Sequence, residues 1–118
     1  SRPIGSFQAI KHKCANMLID FEASRTAVEA AIEAHETEDP ERSLLASVAK
    51  AQCGPAYVRM AIENMQIQGG VGYTWEYDAH LYYRRAQSAE LLHGSASEHH
   101  ERVARLLSER AAERGAER

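Results

Sequence analysis

The sequence predicts an all-α fold, an up-down helical bundle of two long and two shorter helices. Apolar residues recur in alternating steps of three and four over two long stretches, which gathers them on one helix face. Helix-start and helix-stop residues punctuate the breaks between stretches. No alternating apolar–polar run of strand type occurs, and no internal repeat is visible.

The first helix is expected from about Ser6 to His35. Its stripe is Phe7, Ile10, Cys14, Met17, Phe21, Ser24, Val28 and Ala31. Lys11, His12, Lys13, Asp20, Glu22 and Arg25 fall off that stripe and are expected in solvent. Strict alternation of this kind suits neighbours that cross at a shallow angle.

The segment Glu36-Thr37-Glu38-Asp39-Pro40 breaks the pattern. Pro40 fits a first helical turn, and Asp39 before it is a good N-cap. The second helix is expected from about Pro40 to Gln68, on Leu44, Val48, Ala51, Pro55, Val58, Ile62 and Met65. Pro55 is expected to kink this helix without ending it, because the apolar period stays in phase beyond it.

Gln68-Gly69-Gly70-Val71-Gly72-Tyr73-Thr74 closes the second helix in a tight turn. A third helix is expected from near Glu76, carrying Ala79, Tyr82, Tyr83 and Ala86. Ser95 or Ser97 is the expected cap of a last helix, with Glu98 in its first turn and Val103, Leu106 and Leu107 on its stripe. The bundle is expected to occupy residues 1–110, and 111–118 to be a charged, frayed tail.

Composition narrows the function classes. The chain has 118 residues, 44% of them hydrophobic, and a formal net charge of -3, which suits one modest domain. Charges of both signs are mixed, so no basic stripe points to nucleic acid. No apolar run approaches a membrane span, and Ser1-Arg2-Pro3-Ile4-Gly5 does not read as a signal peptide. A cytoplasmic protein is expected, with Cys14 and Cys53 as free buried thiols.

The glycine run follows a helix. A dinucleotide-binding βαβ loop follows a strand, so that reading fails on context. A plain C-cap turn and a close-approach site with bare backbone N–H groups both remain open. Met65-Gln66-Ile67-Gln68-Gly69-Gly70-Val71-Gly72-Tyr73-Thr74-Trp75-Glu76 resembles the Q-x-x-GG-x-GY-T-x-E signature of the acyl-CoA dehydrogenase family. Arg2 through Lys13 is similar to that family's FG-x-PI-x-x-FQ segment. Ala49-Lys50 and Asp78 through Ala86 match in order and spacing. The resemblance extends to about Leu107.

The resemblance implies the C-terminal helical domain of such a flavoenzyme, without its first helix. It implies FAD as cofactor, an acyl-CoA substrate, a homo- or hetero-oligomer and an electron-transfer partner. It carries cofactor contacts over to Phe7, Gln8, Gln66, Ile67, Gln68, Gly69 and Gly70, and again to Ser95, Ala96 and Ser97. The glycine-rich segment is thereby expected to approach a neighbouring subunit's FAD. His93 stands where the family has its catalytic glutamate, followed by Gly94 on the substrate side.

That departure leaves three readings open. The base lies outside this chain, the chain belongs to a non-catalytic half of a heteromeric enzyme, or His93 itself acts. Glu90 is expected to be a solvated helix residue. A metal site is not expected. Glu90-x-x-His93 lacks a second such pair, and the adjacent His99 and His100 cannot share a helix face. Arg84 and Arg85 read equally as surface or as an interface or phosphate contact. Tyr73, Trp75 and Tyr77 read as packing aromatics.

Overall fold

The computed structural model describes residues 7–69 and 78–117. Four helices follow one another among these: α1 (Gln8–Glu36), α2 (Arg42–Gln68), α3 (Ala79–Leu91) and α4 (Ala96–Ala116). The all-α bundle expected from the apolar period is the observed class. The beginning of the third helix near Glu76, and Gly70, Gly72, Tyr73, Trp75 and Tyr77, lie outside the described residues.

Local signals account for the helix ends. Asp39 Oδ1 accepts a 2.7 Å hydrogen bond from the Glu41 N–H within the turn before α2, whose N-cap is Glu41 without a side-chain cap bond, so the helix starts two residues later than the expected Asp39 cap would place it. Regular α-helix begins at Arg42, whose N–H donates to the Asp39 carbonyl at 3.0 Å. Ser95 Oγ accepts from the Glu98 N–H at 3.2 Å and caps α4. α2 runs through Pro55 to Gln68.

α2 is the centre of the bundle, with α1 on one side and α3 and α4 on the other. Its buried positions are small: Ser47, Ala49, Ala51, Gly54, Ala56 and Ala61, with Met65 near the end. Small residues let neighbouring backbones approach closely and bury little area each. No large side chain among the described residues is fully buried.

The stripe expected of α1 divides in two. Ile10, Met17, Ser24 and Ala31 face α2, interleaved with Lys13, Asp20, Ala27 and Ala34. Phe7, Cys14, Phe21 and Val28 are exposed and join Leu18 and Ile32 on an uncovered face. The apolar band is wider than the seam one neighbour can cover. Lys13 and Asp20 are therefore not simply solvated, as expected from the stripe, but cross the seam to α2 (Lys13 to Glu63, Asp20 to Arg59). Cys14 is exposed, against expectation, while half-buried Cys53 donates to the Ser24 carbonyl at 3.7 Å.

The charged end also differs from its expectation. α4 stays helical to Ala116, and Arg110 pairs with Glu41 at the start of α2. Its covered face steps through Ala96, His99, Val103, Leu106 and Arg110, leaving Leu107 exposed. Among the described residues, no helix is long and apolar enough to cross a membrane.

Candidate functional site

Residues singled out in the sequence gather in two places. The first is where α1 begins and α2 ends. The antiparallel pairing of these helices brings Phe7 and Gln8 to the end that carries Gln66, Ile67, Gln68 and Gly69. Lys13 Nζ spans the seam, donating to Glu63 Oε2 at 2.7 Å and to Gln66 Oε1 at 2.9 Å. Gln66, Gln68 and Gly69 are exposed, and Ile67 is half-buried.

Gly69 closes α2 with φ 68°, a left-handed conformation that favours glycine, and its N–H reaches the Gln66 carbonyl. Among the described residues, a Cβ built on Gly69 would meet nothing within 4 Å. Gln68 Nε2 donates back to Asn64 Oδ1 at 3.2 Å. Gly70 lies outside the described residues.

The second place is the α3–α4 turn. His93 has φ 61° and Gly94 has φ 98°. A histidine in the left-handed region is strained and persists only where surrounding contacts hold it. Here they do. His99 Nε2 donates to the His93 carbonyl at 2.8 Å, since a carbonyl only accepts. In the neutral ring this leaves Nδ1 to accept from the buried Ser47 hydroxyl, 3.1 Å away. Lys50 Nζ donates to the carbonyls of Ala89 and Glu90, at 2.8 and 3.1 Å, where α3 runs out of helical donors.

Glu90 is not the solvated residue expected. Its Oε1 accepts from the Ala96 N–H at 2.7 Å, tying the end of α3 to the start of α4. Its Oε2 is buried with no hydrogen-bond partner among the described residues and lies against Gly54, where an added Cβ would come within 1.9 Å of it. The turn is thus closed by Ser47, Lys50 and Gly54 of α2, three residues at steps of three and four on one helix face.

Of the sequence-predicted residues here, the His93 and Ser97 side chains are exposed, Gly94 and Ser95 are half-buried, and Ala96 is buried. Arg84 and Arg85 are exposed on α3. No group of three or more His, Cys, Asp or Glu side chains suited to a metal ion occurs among the described residues.

The residues missed from sequence are Ser47, Lys50, Gly54, Glu90 and His99 in these roles. A signal was present. Glu90 continues the Ala79, Tyr83, Ala86 steps of α3, and His99 continues the Ala96, Val103 steps of α4. A polar residue in phase with an apolar stripe faces the neighbour and must find a partner there.

Helices packed round a small-residue central strut, with an exposed glutamine-glycine helix end, define an all-α bundle. The chain belongs to the acyl-CoA dehydrogenase family: residues 1–108 match the family model described as acyl-CoA dehydrogenase, C-terminal domain. It is 46% identical over 86 residues to the acyl-CoA dehydrogenase FadE34 of Mycobacterium tuberculosis, covering 72% of this chain and 12% of that protein. It is 40% identical over 92 residues to the acyl-CoA dehydrogenase IpdE2 of the same organism, covering 77% of this chain and 27% of that one.

A solved structure described as the electron transferring flavoprotein of Acidaminococcus fermentans superposes with a TM-score of 0.86 at 30% identity. That match covers 90% of this chain and 28% of the other. The chain thus spans between 12% and 28% of the length of these three proteins.

Proposed function

We propose that residues 1–110 serve as the C-terminal helical domain of an FAD-dependent acyl-CoA dehydrogenase, with α4 running on to Ala116 in the charged segment beyond. The observation that carries this reading is the exposed end of α2. There Gln66, Gln68 and Gly69 are exposed at the end of the bundle that also carries Phe7 and Gln8. Exposed amide side chains of this kind offer N–H donors that suit the nucleotide end of FAD. Phe7, Gln8, Gln66, Ile67, Gln68, Gly69 and Gly70 would hold it, on a neighbouring copy or related subunit. The oligomer is therefore part of the site, and an electron-transfer protein is the partner that reoxidises it.

At the α3–α4 turn, Ser95, Ala96 and Ser97 are the proposed second set of cofactor contacts. The Ala96 N–H is taken by Glu90, whereas Ser95, which accepts from the Glu98 N–H, keeps its O–H proton to donate and the exposed Ser97 offers its hydroxyl. Gly94 would border the acyl thioester, because a left-handed glycine admits close approach. When bound, FAD supplies the acceptor for the hydride that leaves the β-carbon of the substrate.

The base that takes the α-proton is proposed to lie outside this chain. Glu90 is already engaged through one oxygen and buried at the other, while Glu98, whose Oε2 would stand 3.1 Å from a Cβ added at Gly94, is an exposed residue of the first turn of α4. His93 holds the position without a carboxylate and presents an exposed imidazole. The same two observations favour a second reading, in which the chain belongs to the non-catalytic partner of a heteromeric dehydrogenase.

Anaerobic addition of acyl-CoA to the flavoprotein carrying this chain tests both. Bleaching of the flavin that persists in His93→Ala supports the first reading. Bound flavin that never bleaches supports the partner subunit. Bleaching abolished by His93→Ala would make His93 the base. A protein that takes up no FAD, alone or with a partner, sinks the assignment.

A further inference from the structure

We infer that Lys13 is a positioning residue that turns the Gln66 amide so that its N–H2 faces outward. The end of α2 is thereby a donor for a ligand rich in acceptor oxygens, such as a diphosphate. The inference rests on the proposed cofactor role of Gln66. An ammonium group has three N–H donors and no acceptor. The atom of Gln66 that meets Lys13 Nζ at 2.9 Å must therefore be the carbonyl oxygen, Oε1.

That contact settles the amide orientation, which is otherwise a two-way choice. Nε2 then points away from the seam, and Gln66 is an exposed residue. Two N–H groups on an exposed side chain form a donor edge.

Lys13 does not itself serve as the cation for the ligand. Glu63 Oε2 lies 2.7 Å from its Nζ and offsets the charge. The Glu63 carboxylate also holds the ammonium at the seam, so the lysine reaches Gln66 from a fixed point. Glu63, Lys13 and Gln66 form a short relay in which a carboxylate places a lysine and the lysine places an amide.

A double-mutant cycle in the intact flavoprotein tests this, with FAD affinity read from the quenching of flavin fluorescence on binding to the apoprotein. Lys13→Met is expected to weaken FAD binding about five-fold, the scale of one oriented hydrogen bond. Lys13→Arg, which keeps a donor-only head, is expected to retain affinity within about two-fold. In a Gln66→Ala background, Lys13→Met is expected to have no further effect.

An equal loss from Lys13→Met with and without Gln66 overturns the inference, since the lysine would then act by itself. Failure of Lys13→Arg to restore affinity overturns it too. If Gln66→Ala leaves FAD affinity unchanged, the cofactor role of Gln66 falls, and the inference falls with it.

Discussion

Along the α1–α2 seam the polar side chains sit at the edge. Lys13 meets Glu63 with both side chains about a third exposed, and Arg59 meets Asp20 with the arginine 54% exposed. Beneath the α3–α4 turn the polar groups go inward. Lys50, Ser47 and His99 bond mainly to backbone carbonyls and to one another, and Glu90 spends one oxygen on a backbone N–H. The first arrangement fixes which residues stand opposite each other, and salt and water screen it. The second supplements the Leu92 N–H at the Ala89 carbonyl and gives the Glu90 carbonyl a charged donor at a chain reversal, so its loss falls on backbone groups. One bundle thus holds two proposed contact regions by different means.

The largest expected effect tests the second arrangement. Lys50→Met keeps the length of the side chain but strips the Ala89 and Glu90 carbonyls of their charged donor. It is expected to destabilise the protein by about 2 kcal/mol, within the range for hydrogen bonds to charged groups. Lys13→Met at the seam is expected to cost less than about 0.5 kcal/mol, as exposed pairs do. Urea-unfolding midpoints of the two variants measure the difference. Equal shifts would break the comparison.

A smaller effect sharpens it. Gly54→Ala drives a methyl into Glu90 Oε2, so the carboxylate must swing away and release the Ala96 N–H. A net loss of about 1 kcal/mol is expected, because alanine's helix preference, about 1 kcal/mol over glycine, offsets part of the cost. In a Glu90→Ala background the clash is gone, and the same substitution is expected to become neutral or stabilising. Thermal unfolding of the four proteins of this cycle reads the sign. A Gly54→Ala effect that does not depend on Glu90 would mean the glycine serves something other than this carboxylate.

These contacts mark how far the fold was readable in advance. Signals that act within a few residues were legible: Ser95 three residues before Glu98, and the apolar period carried in phase across Pro55. Contacts depending on what lies opposite were not. The α1 stripe named the apolar band but not which half α2 would cover, because that choice rests on the small residues of α2. Glu90 turns inward because Gly54, far away in sequence, leaves room for its carboxylate. His99 and His100 part company for a similar reason: only His99 is in phase with Ala96 and Val103, and Ser47 waits for it. Of the candidate site, the glutamine-glycine run and the His93 position were visible as motifs. The lysine that orients Gln66 was hidden, since Lys13 falls outside the apolar stripe and its partners lie on another helix.

The smallest expected effect concerns the outer pair of the seam. Arg59 Nε and Nη2 reach the two carboxylate oxygens of Asp20 at 3.0 and 2.9 Å, a fork-to-fork contact. The hydrogen bond from Arg59, aided by its charge, holds the Asp20 carboxyl below its ordinary value of 3.8, and the same bond raises Arg59. A carboxyl depressed in the folded state binds its proton less readily there than in the unfolded chain. Its contribution is therefore fully present above 3.8 and is lost as pH falls below that value through the folded one. Exposure of the arginine limits the amount to about 0.5 kcal/mol at low salt. Asp20→Asn is accordingly expected to lower stability slightly at neutral pH and to converge with the unmodified protein under acid conditions. Added salt is expected to narrow the gap at neutral pH. Unfolding midpoints taken at neutral and acid pH, each at two salt concentrations, measure this. A gap that widens as pH falls would show that Asp20 holds the seam through something other than its ionised pairing with Arg59.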